Sequence, residues 1–244
     1  FLELWKNDYH YPMKLFQIII DSMLDFPIYP NMYNQFQSYV RSTQLIDLIF
    51  TVLNENSEFI INSPPSSIDA FFIVLLNFTG VVLELPIDIN LIDFHFLALL
   101  GDSPKGDLRK TSLFLVGNMF ESMPETIEMM MSEDYFGLLA SHLKRAEGET
   151  KIESSICLAA AICHSNSEQL NFFIENEFLL QLFDTIDYFE NNLLYLVVQA
   201  VTVLVRAMCA TLGPCVALDE FSGACGSSDE IYEKFISMKN NEKA

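Results

Sequence analysis

The sequence predicts an all-α chain built as a solenoid of three-helix repeats. Three observations carry this prediction. Apolar residues make up 51% of the chain, and they recur at i, i+3 and i+4 in runs longer than strands. A polar opening followed by a long apolar helix returns several times. Measured from Asn118, one position in each long helix falls at 77, 118, 160 and 202, in steps of 41, 42 and 42 residues.

That is the period of armadillo and HEAT arrays, whose units of two or three helices bury their apolar faces on their neighbours. The reference stretch is 101–119, GDSPKGDLRKTSLFLVGNM. Asp107 or Ser103 can cap a helix there, and Pro104 and Gly106 hold the preceding turn open. Leu108, Leu113, Leu115, Val116 and Met119 then form an apolar surface wide enough to be buried on more than one side. Phe114 and Asn118 are four apart and share one helical face.

The other elements follow in order. Residues 1–7 end one helix and 12–24 supply the next, with Leu15, Phe16, Ile19 and Met23 at helical spacing. Pro27 and Pro30 break it. Helices are predicted over 34–43 and 44–55, then a link over 57–67 that carries Pro64 and Pro65, then a helix over 68–79. Residues 81–85 are too short for a helix, and Pro86 cuts them off before a helix over 91–100. Two regular triplets come next: 124–131, 135–144 and 151–163, then 167–176, 178–188 and 191–208. Ser167 is the expected cap of its helix. Residues 219–226 hold turn formers, 230–238 form a last helix, and 240–244 are a polar end. The whole chain, 1–244, thus reads as one array of about six repeats, the first truncated. It begins with Phe1 rather than Met and reads as a fragment.

The net charge of −20 argues against nucleic acid as a direct partner, since phosphates require Lys and Arg, and favours a basic partner. An equally open reading is that the acids only solvate outer helices. The five Cys (157, 163, 209, 215, 225) form no CxxC pair, and their odd number fits a reducing compartment. The apolar run from 193 is interrupted by Gln199, Arg206 and Pro214 before it reaches the ~20 residues a bilayer requires, so a buried helix is expected, not membrane insertion.

Several stretches resemble the C-terminal half of importin alpha, the armadillo adaptor for nuclear localisation signals. These are Leu99-Leu100-Gly101-Asp102-Ser103-Pro104-Lys105 with Leu108-Arg109-Lys110, then Pro124-Glu125-Thr126-Ile127-Glu128, and Glu149-Thr150-Lys151 with Glu153. Ser167-Glu168-Gln169, Phe172, Ile174-Glu175 and Glu230-Ile231-Tyr232-Glu233-Lys234 continue the series. The resemblance spans roughly 66–238 and implies an armadillo-type right-handed superhelical solenoid. It implies a function too: holding Lys/Arg-rich signal peptides of cargo proteins in an acidic concave groove. Importin beta and an export receptor are the implied further partners, with shuttling between cytoplasm and nucleus.

In that family, Trp rings stack on the stems of Lys or Arg, and an Asn four residues later holds the peptide backbone. Carried over, Asn77 and Asn118 match the Asn, Thr79 a nearby groove Thr, and Glu153 an acidic groove residue. Phe114 replaces one Trp, Ile73 and Ile156 stand at other ring positions, and Ala160 replaces an Asn. Trp5, the only Trp, lies elsewhere. The resemblance therefore yields Asn77, Thr79, Phe114, Asn118 and Glu153 as peptide-binding residues. The alternative is an armadillo scaffold that binds other proteins and no signals.

Each of these residues has a plainer reading: an Asn bonded to a neighbouring carbonyl, a core Phe, an acid placed by the helix dipole. Cys157, Cys163 and His164 lack a fourth ligand for a metal, and Cys163 and His164 are adjacent on a helix and point apart, so no nucleophile pair is expected. No phosphate loop, GxSxG or HExxH occurs. The sequence therefore predicts no enzyme and no cofactor.

Overall fold

The computed structural model describes residues 44–66, 68–82, 88–186 and 194–225, together with Lys14, Gln17, Ile18, Gln35, Ser38, Val40 and Ser42. The described residues are all-helical, with twelve α-helices, one 3-10 turn and no strand. They belong to two compact units, Phe1–Glu133 and Asp134–Ala244.

In the first unit the helices described from residue 44 onward are α1 (Leu45–Glu55), α2 (Ser57–Asn62), α3 (Asp69–Val82), α4 (Phe94–Gly101), α5 (Gly106–Ser122) and α6 (Thr126–Ser132), with the 3-10 turn Ile89–Leu91 before α4. The long helices α3 and α5 pack on each other, α1 lies on α3, and α4 lies on α5. Phe71, Phe72, Leu75, Leu76, Phe78, Leu113, Leu115 and Val116 are buried between them. Burying a side chain of that size contributes about 1.5–3 kcal/mol, which holds these helices where propensity alone would not.

The second unit holds α7 (Tyr135–Arg145), α8 (Glu149–Cys163), α9 (Ser167–Glu175), α10 (Phe178–Phe183), α11 (Leu194–Leu212) and α12 (Pro214–Cys225). Here α8 and α11 are the paired long helices, α7 packs on α8, and α9, α10 and α12 pack on α11. Phe136, Phe173 and Phe178 meet edge to face, with Phe136 and Phe173 centroids 4.9 Å apart, and join α7, α9 and α10.

Several local expectations are corrected. The 57–67 link contains a helix, α2, whose Ile60 is buried. Neither Asp107 nor Ser103 caps α5. Lys105 is its N-cap residue, Asp107 lies in the first turn, and the Ser103 hydroxyl accepts from the Lys105 N–H at 3.2 Å. Asn166 rather than Ser167 caps α9. Its carboxamide oxygen accepts from the N–H groups of Glu168 and Gln169, and the Gln169 side chain accepts from the Asn166 N–H. This two-way capping box outcompetes a lone Ser. Where a helix over 91–100 was expected, a 3-10 turn covers Ile89–Leu91 and Asp93 then caps α4, its carboxylate accepting from the Phe96 N–H at 2.9 Å. α10 stops at Phe183, five residues short of the expected end. α12 continues to Cys225 through the supposed turn formers. The expectations for 1–7, 12–24, 34–43, 83–87, 187–193 and 230–244, Trp5 included, lie wholly or largely outside the described residues.

One ammonium ties the first unit together. Lys105 Nζ donates to the Ile60 carbonyl (2.8 Å), to Ser63 Oγ (3.1 Å) and to Asp69 Oδ1 (3.0 Å). The Asp69 carboxylate also accepts from the Ser66 N–H at 2.9 Å. The end of α2, the start of α3 and the start of α5 therefore meet at a single buried ion pair, with side chains 6% and 11% exposed.

Candidate functional site

The middle turns of the long helices α3, α5 and α8 are buried almost all round and leave few accessible positions, whereas α11 is buried along one side only. From Phe71 to Gly80, only Ile73 and Asn77 are not buried. From Leu108 to Phe120, the accessible residues are Arg109, Lys110, Phe114 and Asn118. From Glu153 to Ile162 they are Glu153 and Ile156. Positions 73 and 77 on α3, 114 and 118 on α5, and 156 on α8 are those the 41- to 42-residue period singles out. A helix covered on every side but one is wedged between neighbours, and the uncovered i, i+4 line is where a ligand can reach it.

On α3 and α5 the stripe has a defined geometry. The Asn118 Nδ2 donates to the Gly80 carbonyl at 3.1 Å, near the C-terminal end of α3, where carbonyls lack intrahelical partners. The Phe114 ring lies over Gly80 so closely that a Cβ there would sit 2.8 Å from a ring carbon. Gly80 thus makes room for Phe114, which remains 38% exposed. The Asn77 side chain makes no hydrogen bond to any described residue. Its amide is available on the stripe, whereas Asn118 has one N–H committed and keeps its oxygen and second N–H.

Thr79 is placed differently from the expectation. It is fully buried, and its hydroxyl donates to the Leu75 carbonyl at 2.9 Å, so it belongs to the core of α3 and not to its surface. Glu153, in the second unit, is half-buried on α8 beside Ile156. Ala160, at the following stripe position, is buried at 6% exposure.

The sequence reading passed over four accessible residues of the long helices as site candidates. Glu121 is exposed and seven residues beyond Phe114, on the same side of α5. Lys110 is half-buried one turn before Phe114. On α11, Tyr195 is 71% exposed with Gln199 exposed four residues later, an aromatic–amide pair like Phe114 and Asn118. The i, i+4 spacing was visible, but Tyr195 is three residues off the 42-residue register. The stripes carry few carboxylates. Asp102, Glu125, Glu128, Glu147, Glu168 and Glu177 are exposed instead on turns and short helices.

Cys157 is buried on α8, 3.9 Å from the Tyr135 hydroxyl. Burial pushes its thiol from an ordinary 9.0 up to about 12 and raises the Tyr135 phenol well above its usual value. Such a thiol is protonated at neutral pH and inert as a nucleophile. Among the described residues no three His, Cys, Asp or Glu side chains are grouped to hold a metal ion.

α11 is long and apolar enough to cross a bilayer by length and composition. Its Leu194, Val197, Val201, Leu204 and Met208 are buried within the second unit, while Gln199 and Arg206 are exposed.

No family model and no curated protein matches the sequence. Two crystal structures, each described as an engineered protein, resemble the fold. One aligns with a TM-score of 0.56 at 11% identity over 85% of this chain and 83% of its own. The other aligns with a TM-score of 0.53 at 12% identity over 82% of this chain, and this chain covers 48% of its length. These likenesses define a class, a chain of helices packed on one another, and say nothing of function.

Proposed function

We propose that the chain is an armadillo-type right-handed solenoid acting as a protein-interaction adaptor, with an extended peptide segment held along the exposed lines of α3 and α5. The observation that carries this reading is the pair of accessible i, i+4 lines, Ile73 with Asn77 on α3 and Phe114 with Asn118 on α5, set 41 residues apart on helices that are otherwise buried. A second regularity supports the repeat. Gln44, Asp134 and Glu177 all adopt left-handed backbone conformations, and each immediately precedes a helix, α1, α7 or α10.

On the stripe the chemistry suits an importin-alpha-like adaptor for basic signal peptides. Asn77 and the remaining capacity of Asn118 hold a peptide backbone, and Phe114 offers a face to the stem of a Lys or Arg. Asp107 and Glu121 on α5 supply counter-charges there, and Glu153 on α8 is the acidic groove residue proposed for the second unit's own accessible face. In this reading importin beta and an export receptor are further partners, and the chain shuttles between cytoplasm and nucleus. A second reading, a scaffold for non-signal segments, is favoured by Lys110 beside Phe114 and by the carboxylates spread over turns and short helices. The reading includes no enzymatic activity and no cofactor, and places Arg206 and Gln199 of α11 in water rather than in lipid.

The test is a fluorescence-anisotropy titration with a Lys/Arg-rich signal peptide, its composition-matched scramble and a neutral segment, at low and physiological salt. Preference for the signal over the scramble that persists in salt supports the adaptor. Equal binding of signal and scramble that fades with salt is net charge alone and leaves only the scaffold reading. Phe114→Ala should weaken a genuine signal about 2- to 30-fold, the span of one cation–π contact.

A further inference from the structure

The second unit carries a stripe of opposite charge on α11. Its buried side is Leu194, Val197, Ala200, Val201, Leu204 and Met208. Directly across the helix, at steps of four, three and four residues, stand Tyr195, Gln199, Thr202 and Arg206, all exposed. Arg206 is the only charged residue in LYLVVQAVTVLVRAMCATL. Its guanidinium makes no hydrogen bond or ion pair with any described residue. A lone surface cation on an apolar helix has a bland explanation in solubility, but solubility does not account for a 71% exposed tyrosine in line with it.

We infer that α11 binds an extended, mostly neutral peptide segment bearing one carboxylate, with Arg206 taking the carboxylate. The guanidinium presents a planar fork that matches a carboxylate in two parallel hydrogen bonds. Gln199 can both donate to and accept from a peptide backbone. Tyr195 gives an aromatic platform with few torsions to freeze. From Tyr195 to Arg206 the helix rises about 16 Å at ~1.5 Å per residue. An extended segment covers that distance in about five residues at ~3.3 Å each. The partner therefore has an aromatic or apolar residue and an Asp or Glu about five positions apart. The protein's net charge of −20 repels polyacidic chains, which selects for a single carboxylate in a neutral setting. This site is separate from the basic-peptide stripe of the first unit and of opposite sign, so either reading can fail alone.

The probe is a short labelled peptide with Phe and Glu five positions apart, beside the same peptide with Gln in place of Glu. The Glu peptide is expected to bind about tenfold more tightly than the Gln peptide, as one charge-assisted pair allows. Arg206→Gln should abolish that difference, and Arg206→Lys should restore part of it. Tyr195→Ala should weaken both peptides several-fold. Arg206 and Tyr195 are exposed, so circular dichroism should show these variants folded. Equal binding of the two peptides, a preference that survives Arg206→Gln, or no saturable binding would overturn the inference. Binding of the Lys/Arg-rich peptide should be unchanged or slightly strengthened by Arg206→Gln.

Discussion

Replacing Lys105 by Met should remove the pin that joins α2, α3 and α5. The loss is large because of what remains behind. Lys105 Nζ serves three acceptors, and its departure leaves the Asp69 carboxylate only 11% exposed, with the Ser66 N–H as its remaining partner. Removing one member of a buried pair costs about 3–5 kcal/mol, chiefly because the other charge is stranded. The buried Ile60 carbonyl loses its donor as well, whereas the half-buried Ser63 hydroxyl can turn to water. In the double variant Lys105→Met with Asp69→Asn no charge is stranded, and roughly half of the loss should return. Hydrogen exchange on α3 and α5, with urea unfolding followed by circular dichroism, reads this directly. Exchange is the safer measure because a chain with two compact units need not unfold in two states. A single-variant loss below about 1 kcal/mol, or a double variant no better than the single, would refute the reasoning from desolvation.

Further outcomes follow from the same geometry. Gly80→Ala should gain about 0.8–1 kcal/mol of helix propensity but push the Phe114 ring aside, since the new Cβ would meet it at 2.8 Å. Thermal unfolding should therefore change little while peptide affinity falls. Glu177→Gly should raise stability by several tenths to 1 kcal/mol, because Glu177 holds φ at 58°. A melting temperature that drops would contradict that account. Cys157 and Tyr135 both have folded-state pKa values raised above their unfolded ones, so their contribution is fully present below about pH 9 and is lost as pH climbs toward 12. The slope should approach 1.4 kcal/mol per pH unit per proton, and the double variant Cys157→Ala with Tyr135→Phe should flatten it.

The long helices were legible because their apolar positions run nearly all round and return at a fixed period. Asn77, Phe114 and Asn118 were legible for the same reason: a polar or aromatic residue that interrupts a buried helix at that period marks its uncovered line. Thr79 misled because a hydroxyl can satisfy itself on the carbonyl four residues back and stay buried, as it does on Leu75. α2 was hidden by Ser, Asn and Glu next to Pro64-Pro65, and only burial of Ile60 reveals that it is held by its neighbours. The Asn118 partner was hidden by distance along the chain, since nothing local to α5 names Gly80, 38 residues earlier. The Asn166 cap was ambiguous between two adjacent cap formers until Gln169 closed the box.

The side-chain amide signals of Asn77 and Asn118, followed by nuclear magnetic resonance during addition of a Lys/Arg-rich signal peptide, test the central claim most directly. Asn77 has an unengaged amide and Asn118 a half-engaged one, so both pairs of signals should move together and saturate with the signal peptide but not with its scramble. Movement confined to residues on the turns and short helices, with both amides still, would mean that charge alone draws the peptide and that the stripe is not the binding surface.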